Sequence, residues 1–300
     1  MISYLKLIRY KNLLMVLLTM ILTKYALINS YVVSASSDVE FLALSISVIL
    51  ITAGGYVVND IFDVEADKIN KPKKVIITQS ISKKQGWTFY IVLNCIGVFL
   101  GLYLSFNSQL ISLSYYFIGT FLLLFLYSKY LKRLPLIGNL LISILVSMPM
   151  FLVYEFQNSL AIKNNMFTNL FLFIVISQYI LFAFLSTFVR EIIKDIEDVK
   201  GDYNLKMKTL PILLGRKRTR NIAIVFTMIF FSFLILTLKE AINSTMYYLL
   251  TIILIGIFLV SLFIYKLWNA ETKNQFHYLS NLMKIIMLLG ILSMGLFKFM

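Results

Sequence analysis

Polar residues in this chain are not interleaved with apolar ones at a strand or helix period; they are pushed to the ends of long apolar runs. Nine such runs cover about residues 12–33, 41–58, 87–106, 112–127, 136–154, 168–189, 221–238, 246–265 and 282–298. A helix rises ~1.5 Å per residue and needs ~20 mostly apolar residues to cross a ~30 Å hydrocarbon core, so each run is predicted to span a bilayer as a helix. The first run carries Lys24 in its interior and no small-residue cleavage site follows it, so it reads as a retained helix. The expected fold is all-α, a polytopic membrane protein of nine transmembrane helices, organised as a single membrane-embedded domain over residues 1–300.

Composition agrees with the pattern. Hydrophobic residues make up 60% of the 300 positions and charged ones 14%, with a mean hydropathy of +0.86. That excludes a soluble globular domain, which carries about 25% charge, and it excludes disorder. The net charge of +14 and pI near 9.6 would suggest nucleic acid in a soluble protein. Here the positions of the charges give another reading. With nine spans, 24 Lys and Arg fall on the side of the N-terminus, and only Lys24, Lys163, Lys239 and Lys298 fall in the first helix or on the other side. The positive-inside rule then places the N-terminus and the even-numbered loops in the cytosol, in an inner or plasma membrane. No nucleic acid and no obligate protein partner is expected.

Acidic residues are distributed differently. Nine of the fourteen lie in two cytosolic segments: Asp60, Asp63, Glu65 and Asp67, and Glu191, Asp195, Glu197, Asp198 and Asp202. The positive-inside rule is nearly indifferent to acids, so topology does not account for this. Aspartates 60, 63 and 67 stand at i, i+3 and i+7, and 195, 198 and 202 repeat that spacing at a constant offset of 135 residues. On a continuous helix such a triplet shares one face. The offset predicts two four-helix pseudo-repeats plus one helix, with a first motif at 59–67 and a second at 195–202.

Six gathered carboxylates repel one another and resist ionising unless cations neutralise them. With one cysteine, Cys95, and one histidine, His277, no intrachain disulfide and no Cys/His zinc site is expected, so any metal is held by oxygen. Such a donor set suits Mg²⁺, which completes its shell with water and phosphate oxygens. Basic residues flank both motifs: Lys68, Lys71, Lys73 and Lys74; Arg190 and Lys194; and the cluster of Tyr127, Lys129, Lys132 and Arg133. Together they form a rim suited to a diphosphate. Elsewhere, Cys95 is expected to pack as a small hydrophobe, and His277 to be solvated in a loop with no carboxylate at a neighbouring turn.

These motifs resemble the UbiA-type intramembrane prenyltransferases. The run Asn59-Asp60-x-x-Asp63-x-x-x-Asp67 meets the first motif of that family, and Asp198-x-x-x-Asp202, with Asp195 one turn earlier, meets the second. The stretches Arg190–Asp202, Thr209–Pro211, Leu214–Gly215 and Asp67–Pro72 are most similar to the digeranylgeranylglyceryl phosphate synthase branch. Two positions depart from that branch: Lys71-Pro-Lys-Lys-Val75 stands where Arg-Pro-x-Arg-Pro is common, and Lys200 where Glu is usual. Lysine keeps the charge and loses the bidentate fork.

The resemblance implies a Mg²⁺-dependent transfer of a prenyl group from an allylic isoprenyl diphosphate to a lipophilic acceptor. Asn59, Asp60, Asp63, Asp67, Asp198 and Asp202 would hold metal, and Asp195 would complete the catalytic carboxylates. Asn59, Lys68, Lys71, Tyr127, Lys129, Lys132, Arg190, Lys194 and Arg9 would face the diphosphate, and Asn12 lies where the family carries polar residues reaching the site. The acceptor stays open between geranylgeranylglyceryl phosphate and an aromatic or quinone precursor. A transporter is the rival class. It needs polar groups near the midplane, and helices three to nine have almost none in their interiors.

Overall fold

The computed structural model describes residues 2–32, 36–160, 166–243 and 247–299, with the backbone alone at 74, 158–160, 166, 167 and 299. Lys163, expected on the far side, lies outside them. Among the described residues the chain is helical, and its β-type pairing is an isolated bridge between Ile77 and Ile81. In order come α1 (Ile2–Leu7), α2 (Tyr10–Leu22) continued by a π-helical stretch Thr23–Ile28, α3 (Asp38–Phe62), α4 (Val64–Asn70), α5 (Lys83–Asn107), α6 (Ile111–Lys129), α7 (Ile137–Leu160), α8 (Met166–Asn204), α9 (Leu210–Leu214), α10 (Arg216–Asn243), α11 (Tyr247–Trp268) and α12 (Lys273–Ser293), closed by a 3₁₀ stretch Met294–Phe299. Nine helical segments among the described residues are long and apolar enough to cross a membrane, in the order expected from the apolar runs.

The boundaries follow local chemistry. Ser37 with Glu40, Ser82 with Gln85 and Thr272 with Gln275 form capping boxes that start α3, α5 and α12. Each satisfies amide groups that an apolar run cannot serve at its own beginning. Several ends differ from the hydropathy reading, two of them at the acidic segments. The run expected to stop at 189 continues as helix to Asn204, because Ile192, Ile193 and Ile196 stay at 0–1% exposure in one apolar cluster with residues of α10, α11 and α12. The run expected to stop at 58 likewise continues, to Phe62.

Helix α3 packs on α5 and α6, and α8 packs on α7, α10 and α12. The α3–α5 crossing is close: a Cβ at Gly54 would stand 2.1 Å from Asn94 Nδ2, and Ser47 Oγ donates to the Gly97 carbonyl at 2.7 Å. Small residues permit such approach where no hydrophobic effect drives helices together. Large apolar side chains such as Phe99, Tyr103, Tyr115, Phe258 and Tyr265 cover the exterior, as a lipid-facing surface requires. Cys95 is exposed on α5 and faces outward, which corrects the expectation that it packs inside. Lys24 is fully buried, with its ammonium 3.1 Å from Asp38 and 4.7 Å from the centre of the Phe41 ring.

Candidate active site

The two aspartate motifs are built on different backbones. Helix α3 carries Asn59 and Asp60 through its last turn and breaks at Asp63, whose φ of −92° and ψ of 1° leave the helical region. Asp67 therefore stands on the separate helix α4, and the first triplet does not share one continuous helical face. The second triplet does, since α8 runs unbroken past Asp195, Asp198 and Asp202.

What joins the motifs is a staple from the end of α4. Asn70 donates through Nδ2 to the Asp198 carbonyl (2.8 Å) and accepts through Oδ1 from the Gly201 amide (2.9 Å). Gly201 is required by this approach, because a Cβ there would lie 2.2 Å from Asn70 Nδ2 and 2.9 Å from the Ala66 carbonyl oxygen. Lys71 Nζ donates to Asp198 Oδ2 at 2.6 Å, and Lys273 from α12 donates to the Asn70 carbonyl at 2.7 Å.

Each aspartate nearest the bundle carries its own partner. Arg9, left-handed at φ 52° between α1 and α2, donates to Asp60 at 2.7 Å and lies 5.0 Å over the Tyr56 ring. Lys132, its side chain only 9% exposed, donates to Asp63 and to Asn59 Oδ1. Asn139 on α7 donates to Asp195 at 2.9 Å. The carboxylates of Asp67 and Asp202 have no hydrogen-bond or ion-pair partner among the described residues, and Asp198 Oδ1 is buried without one. Burial, reinforced by the charges of Asp63 and Asp60, raises the Asp67 carboxyl to about 6 against the pull of Lys71 and Arg9. Burial would lower the Lys71 ammonium, but the Asp198 carboxylate outweighs it and holds the lysine above its ordinary value.

Below this layer a cavity of about 220 Å³ runs into the bundle. Its polar end is lined by Arg9, Asn12, Asn59, Tyr127, Arg190 and Lys194, and its far end by Tyr179, Phe182 and Met294. Lys194 and Tyr179 are fifteen residues apart on α8, about 22 Å at ~1.5 Å per residue. Two of the expected diphosphate residues point elsewhere: Lys68 pairs with Glu65 in solvent (2.8 Å), and Lys129 lies over the rings of Tyr130 and Phe125.

Residues 13–286 match the model of the UbiA prenyltransferase family. The chain belongs to this family. It is 33% identical over 258 residues to the digeranylgeranylglyceryl phosphate synthase of Saccharolobus solfataricus, an alignment covering 85% of this chain and 83% of that one. Among solved structures it is similar to a digeranylgeranylglyceryl phosphate synthase at 24% identity, with a TM-score of 0.68 over 99% of this chain and 97% of the other. It is also similar to a UbiA homologue from Archaeoglobus fulgidus bound to GPP and Mg²⁺, at 14% identity, with a TM-score of 0.58 over 98% and 99%.

Membership of the UbiA family makes the chain a membrane-embedded prenyltransferase and sets the carrier reading aside. Its donor atoms fit a hard divalent cation: they are carboxylate oxygens, several unbonded, with no thiolate or imidazole among them. Among the described residues no three acids converge as a closed ligand set; Arg9, Lys132 and Lys71 each hold one carboxylate instead. Three contacts could not be read from the motifs: Asn139, Asn70 and Lys284, which lines the cavity from α12. Only Asn70 left a trace in the sequence, as part of Asp67–Pro72. His277 is half-exposed, lies on α12 and stands 2.9 Å from Glu197 of α8, so the expectation of a solvated histidine in a loop is corrected. Its partner is distant in sequence, beyond the neighbouring turns of its own helix.

Proposed function

We propose that this prenyltransferase moves an isoprenyl group from an allylic diphosphate to the free hydroxyl of a glyceryl ether phosphate, geranylgeranylglyceryl phosphate, with Mg²⁺ as its cofactor. The observation that carries the reading is the meeting of two aspartate motifs, stapled by Asn70, above a long apolar cavity. The diphosphate stands between the motifs and the isoprenoid tail lies in the cavity, which keeps water from the allylic cation. With Mg²⁺ held by the aspartates, Lys71, Lys132 and Arg9 would be released from their carboxylates to pair with the diphosphate oxygens. Bound Mg²⁺ would offset the negative charge that develops on the leaving diphosphate. Asp195, Asp198 or Asp202 accepts the proton that the attacking hydroxyl loses, since no histidine lines the cavity. The synthase from Saccharolobus solfataricus supports the choice of acceptor.

In detergent, labelled geranylgeranyl diphosphate offered with geranylgeranylglyceryl phosphate, an aromatic acid and a quinone precursor is expected to label the glyceryl ether, and EDTA to stop the reaction. Labelling of the aromatic compounds alone would overturn the acceptor. We also place the motifs in the cytosol on the asymmetry of basic residues. A cysteine at position 73 or 206, in a Cys95→Ser background, should resist impermeant thiol reagents added to intact cells, and ready labelling would reverse the orientation.

A further inference from the structure

The charges around the cavity are unevenly matched. Near the motifs each cation has its own acid: Arg9 with Asp60, Lys132 with Asp63, and Lys71 with Asp198. On α8, immediately before Asp195 and about one turn beyond it, the match fails. Arg190 and Lys194 share the single carboxylate of Glu191, at 2.9 and 2.8 Å, and Arg190 Nε is buried without a partner. Facing them from α12, Lys284 is partly buried, lines the same cavity, and has no hydrogen-bond or ion-pair partner among the described residues. It lies close enough to feel the charges of Arg190, Lys194, Arg9 and Glu191, Arg9 being already paired with Asp60. Three cations and one acid leave a surplus of two positive charges inside a membrane protein, where an unmatched cation is costly unless a ligand or partner meets it. The surplus equals the charge of a phosphomonoester dianion.

We propose that Lys284, with Arg190 and Lys194, forms an anion site for the acceptor's phosphomonoester, separate from the aspartate layer that takes the donor's diphosphate. The site rests on the acceptor named above and assigns its headgroup a place. Lys194 and Arg190 precede Asp198 by four and eight residues, about 6 and 12 Å along the helix, so the acceptor's phosphate lies deeper than the diphosphate with its hydroxyl directed toward the motifs. The arrangement makes the phosphate a specificity element: a neutral glyceryl ether leaves the three cations facing one acid, whereas the phosphorylated one balances them.

The test compares wild type, Lys284→Met and Lys284→Arg with two acceptors, geranylgeranylglyceryl phosphate and the unphosphorylated geranylgeranylglycerol. Loss of a hydrogen bond between charged groups corresponds to roughly ten- to hundredfold in affinity. Lys284→Met is expected to raise KM for the phosphorylated acceptor by about tenfold or more, and by several-fold more than it raises KM for the donor diphosphate or for the neutral ether, and Lys284→Arg to restore most of the loss. Binding of the phosphorylated ether to the folded protein in EDTA, without donor, should weaken in the same order. An equal rise in KM for donor and acceptor would assign the cluster to the diphosphate and overturn the proposal, as would no change in either. Failure of wild type to use the phosphorylated ether, with turnover of an aromatic acceptor, would instead remove the acceptor assignment on which the proposal stands.

Discussion

The two aspartate motifs share one spacing and are built in opposite ways. On α8 the triplet Asp195, Asp198, Asp202 lies on a helix that continues for 39 residues, so its geometry is inherited from the helix itself. At the end of α3 the triplet Asp60, Asp63, Asp67 is cut by a helix break at Asp63, and its third member is positioned by α4. That helix is held in turn by Asn70 and Lys71 on α8. One motif is a rigid rail, and the other is docked onto it by tertiary bonds. Equal spacing therefore does not mean equal sensitivity: the second motif depends on local helix, the first on a contact 131 residues away in sequence.

The largest expected effect falls on both motifs alike. Asp63→Asn and Asp198→Asn should each lower kcat by about 10²–10⁴, the value of several kcal/mol of charge stabilisation in the transition state; steady-state assay with saturating Mg²⁺ checks it. Their stabilities should differ. Asp63→Asn leaves Lys132, with its side chain 9% exposed, without a carboxylate, whereas Asp198→Asn frees Lys71, which is 29% exposed. Thermal unfolding in detergent should show the lower Tm for Asp63→Asn, and equal values would mean that the first motif is no more dependent on its partners than the second.

A second perturbation acts on the staple alone. Gly201→Ala puts a methyl group into Asn70 and should cost about 1–3 kcal/mol of stability by overpacking. As Asn70 yields and α4 shifts, transfer should fall by roughly ten- to hundredfold. Retention of full activity would show that α4 is positioned without Asn70.

The smallest effect is expected inside the rail. Asn139→Ala removes one hydrogen bond from Asp195, while the helix still holds that residue in place. Its cost should be about three- to tenfold in kcat, close to the ~0.5–1.5 kcal/mol net worth of such a bond. A loss as large as that of Gly201→Ala would erase the distinction between a self-supporting motif and a docked one.

Much of this was legible in advance. Apolar runs located the nine long helices, and the equal spacing of the acids singled out the two segments that Asn70 and Lys71 bring into contact. The ends of helices were less legible. Hydropathy stops at the first charges, whereas α8 continues as an amphipathic helix whose Ile192, Ile193 and Ile196 remain buried. Lys68 and Lys129 were indistinguishable by type and proximity from Lys71 and Lys132, yet the first two turn to a neighbouring acid and to aromatic rings while the others reach the aspartates. Asn139 and Lys284 belong to no motif at all. Cys95 faces outward although its run is apolar, because a lipid-facing surface and a core have the same composition.

The sequence by itself determined that the protein lies in a membrane, how many long apolar helices it forms, and that its acids are concentrated in two segments of equal spacing, because burial in hydrocarbon and the clustering of charge both leave their mark in residue type and short-range spacing. Only the tertiary structure decided which cations answer those acids, where α3 breaks, and that Asn70 fits against Gly201. These outcomes depend on distances between helices 50 to 200 residues apart, and a side chain of a given type carries no record of which helix will face it.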